Sequence, residues 1–337
     1  MAIVLDAMGS DDHPTPEILA AIQLKKEFHE EVILVGKKDL IEAKVKELNL
    51  THETFNIVDA PDVVEMTDKP VDSARKKPNN SMAVGLALVR DGKAEAFVTA
   101  GNTGGAYFNA VTILRRIPGI SRPALSSFIP TRRGGRCVFL DTGANADCRP
   151  EFLLEFAVMG SAYANSVLKI ENPKVALLSN GEEAGKGNEL VKGTYPLLQA
   201  SGLNFYGNVE PKEVYAGMVD VLVADGFAGN VFLKTSEAVA KFITDLLKEG
   251  ISARFLSKIG YLLAKPAFAV LKTKMDPAEV GAAMLLGVNG YAFVGHGRSD
   301  ARALVSAVRL ARSTIDAHLL DAIKLEIEKH IPQSSEK

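Results

Sequence analysis

The sequence predicts an α/β fold, a mainly parallel sheet flanked by helices, on three observations. Short apolar runs recur along the 337-residue chain. Segments whose apolar residues fall at helical spacing separate them. Polar turns rich in Gly and Asn follow the runs. Strands buried on both faces and joined through helices are the pattern of a parallel sheet.

In chain order, Ile3-Val4-Leu5 is the first strand and Glu17 to Glu30 the first helix. Val32 to Val35, Ala96 to Thr99, Ser126 to Ile129 and Cys137 to Leu140 continue the strands. A helix over Glu151 to Leu168 leads to strands at Val175 to Leu178 and Val219 to Val223, and a further strand-like run precedes His296. The stretch from Arg115 to Arg136 reads either as a passage between subdomains or as a surface loop. No Gly/Ser linker cuts the chain, so one unit over residues 1–337 is expected, fraying at Pro332 to Lys337.

Composition narrows the class. The chain is 47% hydrophobic and 24% charged, with a net charge of -2, so it can bury a core and lacks the basic excess of a nucleic-acid binder. Two cysteines, Cys137 and Cys148, cannot make a disulfide framework and suit a reducing compartment. Cys137 lies in an apolar strand pattern; Cys148, near a helix start, has the only setting for an activated thiol, and inert packing is the simpler reading. Asp6 interrupts the first apolar run too early for a signal peptide, and no long uncharged stretch suits a spanning helix, so a cytoplasmic location is expected.

The turns carry the chemistry. Asp6 to Asp11, Gly101 to Gly105, Asp141 to Asn145, Ser179 to Glu183 and Ala224 to Asn230 each follow a strand-like run. Parallel strands deliver their carboxyl ends to one edge, where ligands bind, so these turns are expected to converge on one rim. Ordinary turn formation explains any one of them; the repetition points to a cleft. Gly101-Asn102-Thr103-Gly104-Gly105 and Gly226-Phe227-Ala228-Gly229-Asn230 precede helical sequence and suit phosphate or an oxyanion on backbone N–H groups. Neither is a Walker A loop or a dinucleotide fingerprint, and no histidine pair or nucleophile elbow marks a metal site or a serine hydrolase. No cofactor and no metal are expected. Asp141 and Asp225 fit loop orientation better than attack.

Lys186, between glycines beyond the strand at Val175, has three donors for phosphate or a carbonyl oxygen; pairing with Glu182 or Glu183 is the plainer alternative. His296, in Gly295-His296-Gly297-Arg298-Ser299-Asp300, is the one histidine in a Gly-rich turn and the best acid–base or phosphate-contact candidate. With Asn230 these are the candidates for chemistry. Asp6, Met8, Gly9, Ser10, Asn102, Thr103, Gly104, Asn145, Asn180, Asp225 and Gly226 are the candidates for substrate binding.

Two stretches are basic. From Arg115 to Leu140 there are six arginines and no acid, which suits docking of an anionic partner or a plain solvated face. From Ile251 to Met275 there are five cations and no acid. Phe255, Ile259, Leu262 and Leu263 share a face of one helix; Pro266 is expected to break it; Phe268, Leu271 and Met275 share a face of a second. Such a basic amphipathic pair at 251–275 fits a membrane surface, a partner helix or a dimer contact.

The chain resembles the bacterial phosphate acyltransferases, the acyl-carrier-protein:orthophosphate transacylases of phospholipid synthesis. The resemblance rests on DAMGSD at Asp6 to Asp11, SMAVGLALV at Ser81 to Val89, GNTGG at Gly101 to Gly105 and DTGAN at Asp141 to Asn145. It continues with NGEEAGKGNEL at Asn180 to Leu190, GNVE at Gly207 to Glu210, DVLVADGFAGNVFLK at Asp220 to Lys234, and LLGVNG and GHGRSDA between Leu285 and Ala301. It implies transfer of a fatty acyl group from acyl carrier protein to inorganic phosphate, and a fold like that of phosphotransacetylases and the isocitrate/isopropylmalate dehydrogenases. It also implies a homodimer with peripheral membrane contact, near a membrane acyltransferase that uses the acyl phosphate. Arg132, Arg133 and Arg136 then become the expected carrier contacts, and Phe255, Ile259, Leu262, Leu263, Phe268 and Leu271 the expected membrane contacts.

Overall fold

The computed structural model describes residues 1–275, 278 and 280–331, without the side chains of 267 and 269–275. Its eleven strands are β1 (Ile3–Asp6), β2 (Val32–Gly36), β3 (Asn56–Asp59), β4 (Ala96–Thr99), β5 (Ala124–Pro130), β6 (Arg136–Leu140), β7 (Val175–Leu178), β8 (Phe205–Val209), β9 (Val221–Val223), β10 (Ala282–Leu286) and β11 (Tyr291–Gly295). They form one sheet in the order β3-β2-β1-β4-β11-β10-β5-β6-β9-β7-β8. The helices are α1 (Thr15–Phe28), α2 (Lys38–Glu47), α3 (Pro70–Lys76), α4 (Ser81–Arg90), α5 (Thr103–Ile113), α6 (Pro150–Ser166), α7 (Glu189–Ala200), α8 (Pro211–Ala216), α9 (Gly226–Ser252), α10 (Phe255–Met275), α11 (Ala301–Asp316) and α12 (Leu319–His330).

The sheet is mixed. β3, β2, β1, β4 and β11 are parallel, as are β6, β9, β7 and β8, but β10 pairs antiparallel with both β11 and β5, and β5 antiparallel with β6. The two parallel groups therefore run in opposite directions. Parallel strands need a crossover, whereas β10 and β11 are separated by only Gly287 to Gly290 and β5 and β6 by Thr131 to Gly135. Loops that short close only antiparallel pairs. β3, β8 and β10 are not among the strands the sequence marks; at β3 and β8 the edge positions leave Asn56, Asp59 and Tyr206 exposed, which breaks the apolar run, whereas β10 is central and buried.

Burial follows the pleat. Ile3 and Leu5 enter a core on one face with α1, α6, α11 and α12, while Val4 enters a second core on the other face with Phe97, Met82 and Ala106. A third, smaller cluster packs Phe139, Leu222 and Val209 with Phe232 of α9. With both faces covered, central strands such as β1, β2, β7 and β9 read as continuous apolar runs.

The expected break at Pro266 does not occur: α10 runs unbroken from Phe255 to Met275, and its partner is the long α9. A proline withdraws one N–H from an otherwise intact ladder, and the turns on either side hold the helix through it. Phe255, Leu256, Leu262 and Leu263 are 77%, 79%, 68% and 80% exposed, so these apolar side chains stand largely clear of the other described residues. Phe268 stacks at a tilt on Tyr261; the side chain of Leu271 and the tail at Pro332 to Lys337 lie outside the described residues. No helix among those residues is long and apolar enough to cross a membrane.

Candidate active site

The strand-end turns assemble as two groups rather than on the single rim expected. The turns after β1, β4 and β11 form the first. Asp6 is buried at the end of β1; its Oδ1 accepts from the Met8 amide at 3.0 Å and its Oδ2 from the Thr99 hydroxyl at 2.7 Å, and Thr99 Oγ1 accepts from the Gly101 amide at 3.0 Å. Burial pushes the Asp6 carboxyl up and these donors pull it back. Gly9 is required because a Cβ there would stand 2.8 Å from the Ala100 nitrogen. Below the turn, Glu17 of α1 is 0% exposed; its Oε1 accepts from the Ser10 amide at 3.1 Å, while its Oε2 and the Ser10 hydroxyl have no hydrogen-bond partner among the described residues. Burial raises Glu17 to about 7.

Asn102 caps α5: its Oδ1 accepts from the Gly105 amide at 2.9 Å, and its Nδ2 donates to the carbonyls of Glu65, Met66 and Asp68 at 3.2 Å. Its side chain is thus fully used in shaping the loop, and Thr103 and Gly104, at the open start of α5, are better placed to meet a ligand. His296 is exposed in the third turn, which the Asp11 amide joins by donating to the Gly297 carbonyl at 2.7 Å. His296 Nδ1 accepts from the Arg298 amide at 3.2 Å, so in the neutral ring the proton sits on Nε2, free of that bond.

The second group follows β6, β9 and β7, whose carboxyl ends adjoin. Asp141 is buried; its Oδ1 accepts from the amides of Leu125, Gly143 and Ala144, and its Oδ2 from the Asn145 amide and side chain, at 2.7 to 3.1 Å. It orients the turn and is not free to attack. Asn145 Nδ2 also donates to the Pro123 carbonyl at 2.7 Å, and the Asn145 carbonyl accepts from the Gly226 amide at 2.8 Å. Asp225 caps α9 by accepting from the amides of Phe227 and Ala228. A Cβ on Gly229 would lie 1.9 Å from the Asp141 carbonyl oxygen, so only glycine lets α9 start against this turn. Asn230 is exposed beside Gly143, and its side chain makes no hydrogen bond among the described residues. Cys148 is not activated: burial first, then the nearby carboxylates of Asp141, Asp225 and Asp147, push its thiol up to about 12, and burial pushes Cys137 up as well.

Lys186 stands on the turn after β7. Asn180 Oδ1 accepts from the Gly187 amide, and the buried Asn208 donates from below to the Glu183 carbonyl at 2.9 Å. Lys212 takes Glu182 at 3.2 Å, and Lys186 forms no ion pair among the described residues, leaving its ammonium exposed. No group of three or more His, Cys, Asp or Glu residues stands ready to hold a metal among the described residues.

Helix α5 is shared by both groups. Its capped end belongs to the first, and its Ala106 and Ala110 lie in the core cluster against which Ala144 of the second packs. The arginine-rich stretch is divided. Arg115, Arg116 and Arg122 precede β5, near Pro123 and Asn145, whereas Arg132, Arg133 and Arg136 are exposed at the far end of the β5–β6 hairpin, where the Arg132 amide donates to the Tyr215 carbonyl at 2.8 Å. Sequence reasoning missed Glu17, Thr99 and Asn208, ordinary polar residues whose neighbours come from distant segments; only Asn208 carried a signal, as part of a Gly-Asn pair.

A family model described as a fatty acid synthesis protein matches residues 1–321. The chain is 44% identical over 328 residues to the phosphate acyltransferase of Pelotomaculum thermopropionicum, covering 97% of this chain and 95% of that one. It is 44% identical over 331 residues to the phosphate acyltransferase of Elusimicrobium minutum, covering 98% and 97%. Among solved structures, a phosphotransacetylase from Streptococcus pyogenes superposes with a TM-score of 0.62 at 20% identity, covering 95% of this chain and 94% of that one. That likeness is one of fold.

Proposed function

The chain belongs to the phosphate acyltransferase family, and we propose that it reversibly transfers a long-chain fatty acyl group from the thioester of acyl carrier protein to inorganic phosphate, as one catalytic unit over residues 1–337. The observation that carries the reading is the pair of turn groups around α5, one with open helix amides and His296, the other with Lys186 and Asn230 uncommitted. Transfer to phosphate needs little more than this. Hydrogen phosphate is already nucleophilic, so catalysis reduces to holding it in line with the carbonyl and stabilising the oxyanion that forms.

One phosphate oxygen attacks the thioester carbonyl carbon, and the tetrahedral intermediate collapses with cleavage of the C–S bond. The thiolate leaves with that electron pair and takes up the proton released by hydrogen phosphate, giving acyl phosphate and free thiol. The thiol's ordinary pKa of about 8.5 makes strong acid assistance unnecessary. In this scheme the Met8-Gly9-Ser10 turn and the start of α5 at Thr103 and Gly104 hold phosphate, and His296 relays the proton. Asn230 and Lys186 serve the oxyanion, while Asp6, Asn102, Asn145, Asn180, Asp225 and Gly226 shape the turns.

The same proposal extends to partners. Arg132, Arg133 and Arg136 form an exposed cationic hairpin tip suited to an acidic carrier. The exposed face of α10, with Phe255, Ile259, Leu262 and Leu263 beside Arg254 and Lys258, suits peripheral contact with a membrane, into which an apolar acyl phosphate would be delivered, in a cytoplasmic homodimer. The architecture is further expected to match the isocitrate/isopropylmalate dehydrogenases on superposition.

The test supplies palmitoyl acyl carrier protein, palmitoyl-CoA or acetyl-CoA with phosphate and traps acyl phosphate as the hydroxamate. Preference for the carrier thioester is the expected result. Preference for acetyl-CoA would replace the reading with that of a short-chain phosphotransacetylase, which the fold likeness favours as the second reading, and binding of phosphate or acyl chains without hydroxamate would leave a non-catalytic binder.

A further inference from the structure

Between β3 and α4 the chain leaves the sheet as a loop whose two ends are tied together. The Asp62 amide donates to the Asn79 carbonyl at 3.4 Å, and the Ser81 amide to the Asp62 carbonyl at 3.2 Å. Asn80, buried, caps α4 by accepting from the Ala83 amide at 2.9 Å and donates to the Lys77 carbonyl at 2.7 Å. Beyond this neck, residues 63–79 are braced on Asp68. Its Oδ2 accepts from the Glu65 amide at 3.0 Å, the Ser73 hydroxyl at 2.7 Å and the Lys77 ammonium at 2.7 Å. Lys77 also donates to the Val63 carbonyl at 2.7 Å. A loop closed at its neck and tied across its own middle is a compact unit in its own right.

The tip of this loop lies on the first turn group. Glu65, Met66, Thr67 and Lys69 are exposed, yet the carbonyls of Glu65, Met66 and Asp68 converge on Asn102 Nδ2, each at 3.2 Å. Two further contacts flank this one. A Cβ on Gly104 would stand 2.5 Å from the Pro70 ring, and one on Gly297, beside His296, 2.5 Å from the Met66 methyl carbon. The tip therefore bridges the start of α5 and the His296 turn, two of the turns that the proposed mechanism gives to phosphate and its proton. Thr103 is exposed at its edge.

Asn102 Oδ1 is spent on capping α5, so its amide hydrogens are what it offers the tip. Neutral hydrogen bonds to exposed backbone hold a loop shut weakly enough for it to open. Opening matters to this reaction, because water in the place of phosphate attacks the same carbonyl carbon. That step forms a C–O bond as the C–S bond breaks. The thiolate takes one proton of the water, and free fatty acid leaves in place of acyl phosphate.

We propose that residues 63–79 form a lid that opens to admit phosphate and closes to keep water from the acyl group, and that Asn102 is the positioning residue that seats it. The inference rests on the phosphate acyltransferase reading of the site.

Two variants act on the lid from opposite sides. Asn102→Ser keeps a cap acceptor for the Gly105 amide and removes the donors, whereas Lys77→Met removes the brace within the loop. Both are compared with wild type on palmitoyl acyl carrier protein and phosphate, measuring hydroxamate and free palmitate together, with melting curves confirming the fold. A lid that no longer seats predicts a palmitate-to-hydroxamate ratio raised about tenfold in each. A ratio unchanged in either overturns the proposal, whatever happens to kcat. Met66→Ala, which shortens an exposed side chain, replaces a variant that fails to fold. Should the wild type make no acyl phosphate, amide hydrogen exchange decides instead. Slowing at Glu65 to Lys69 by inorganic phosphate, lost in Asn102→Ser, upholds the lid; slowing that is absent, or kept in the variant, overturns it.

Discussion

At the residue scale, the side chains divide into those that build the turns and those left free. Asn102, Asp141, Asn145 and Asp225 are occupied by local hydrogen bonds. Lys186, Asn230 and the Nε2 side of His296 are exposed. Removing a preorganised donor from an oxyanion costs roughly 100-fold in kcat. Lys186→Ala is therefore expected to reduce turnover by about that factor, and His296→Ala, which removes the proton relay, by roughly 100-fold as well, with melting temperatures unchanged, since both residues are exposed; near-normal turnover would strip them of their roles. Glu17 makes a separate prediction. Its value rises from 4.5 to about 7 on folding, chiefly through burial. Between those values the native state holds a proton that the unfolded chain has lost. Its contribution is thus full below about 4.5 and disappears as pH rises through 7, up to about 3 kcal/mol. Denaturant titrations across pH 4.5 to 8 should show this fall, and Glu17→Gln, which keeps an acceptor for the Ser10 amide, should flatten it.

At the element scale, α9 is held at its start and open along its length. Gly229→Ala would drive a methyl into the Asp141 carbonyl and is expected to destabilise by several kcal/mol, or to prevent folding. In contrast, Gly260→Ala in α10 meets nothing within 4 Å and should stabilise the helix by about 0.5 to 1 kcal/mol. The pair makes a matched comparison by thermal melting. The exposed face of α10 yields the next expectation: Leu262→Glu should reduce co-flotation with anionic liposomes, and equal flotation by wild type and variant would dismiss the membrane role. The amphipathic pattern of α10 was legible because it is local, repeating within one helix. Its continuity through Pro266 was not, because proline's preference for breaking a helix is a propensity that the surrounding turns outweigh.

At the scale of the whole molecule, the hairpin tip bearing Arg132 and Arg133 lies at the opposite end of β6 from Asp141. If the acidic carrier docks on this tip, Arg132→Glu with Arg133→Glu should raise the carrier KM and blunt its dependence on ionic strength, while leaving acyl-CoA kinetics alone. The sequence by itself determined the α/β class, most of the strands, the polar turns that follow them and the family, because burial on both faces, turn chemistry and ordered motifs are written in contiguous residues. Only the tertiary structure decided which turns stand together. Strand direction depends on which strands pair and how short their connections are: β10, antiparallel to both β11 and β5, leaves those two running the same way, and the antiparallel β5–β6 hairpin then sets the two parallel groups in opposite senses. That reversal separates Gly9, Asn102 and His296 from Asn145, Lys186 and Asn230, and it leaves α5 as the structure they share. No run of residues encodes where β10 and β11 insert, since the β10–β5 and β11–β4 pairings join segments more than a hundred positions apart.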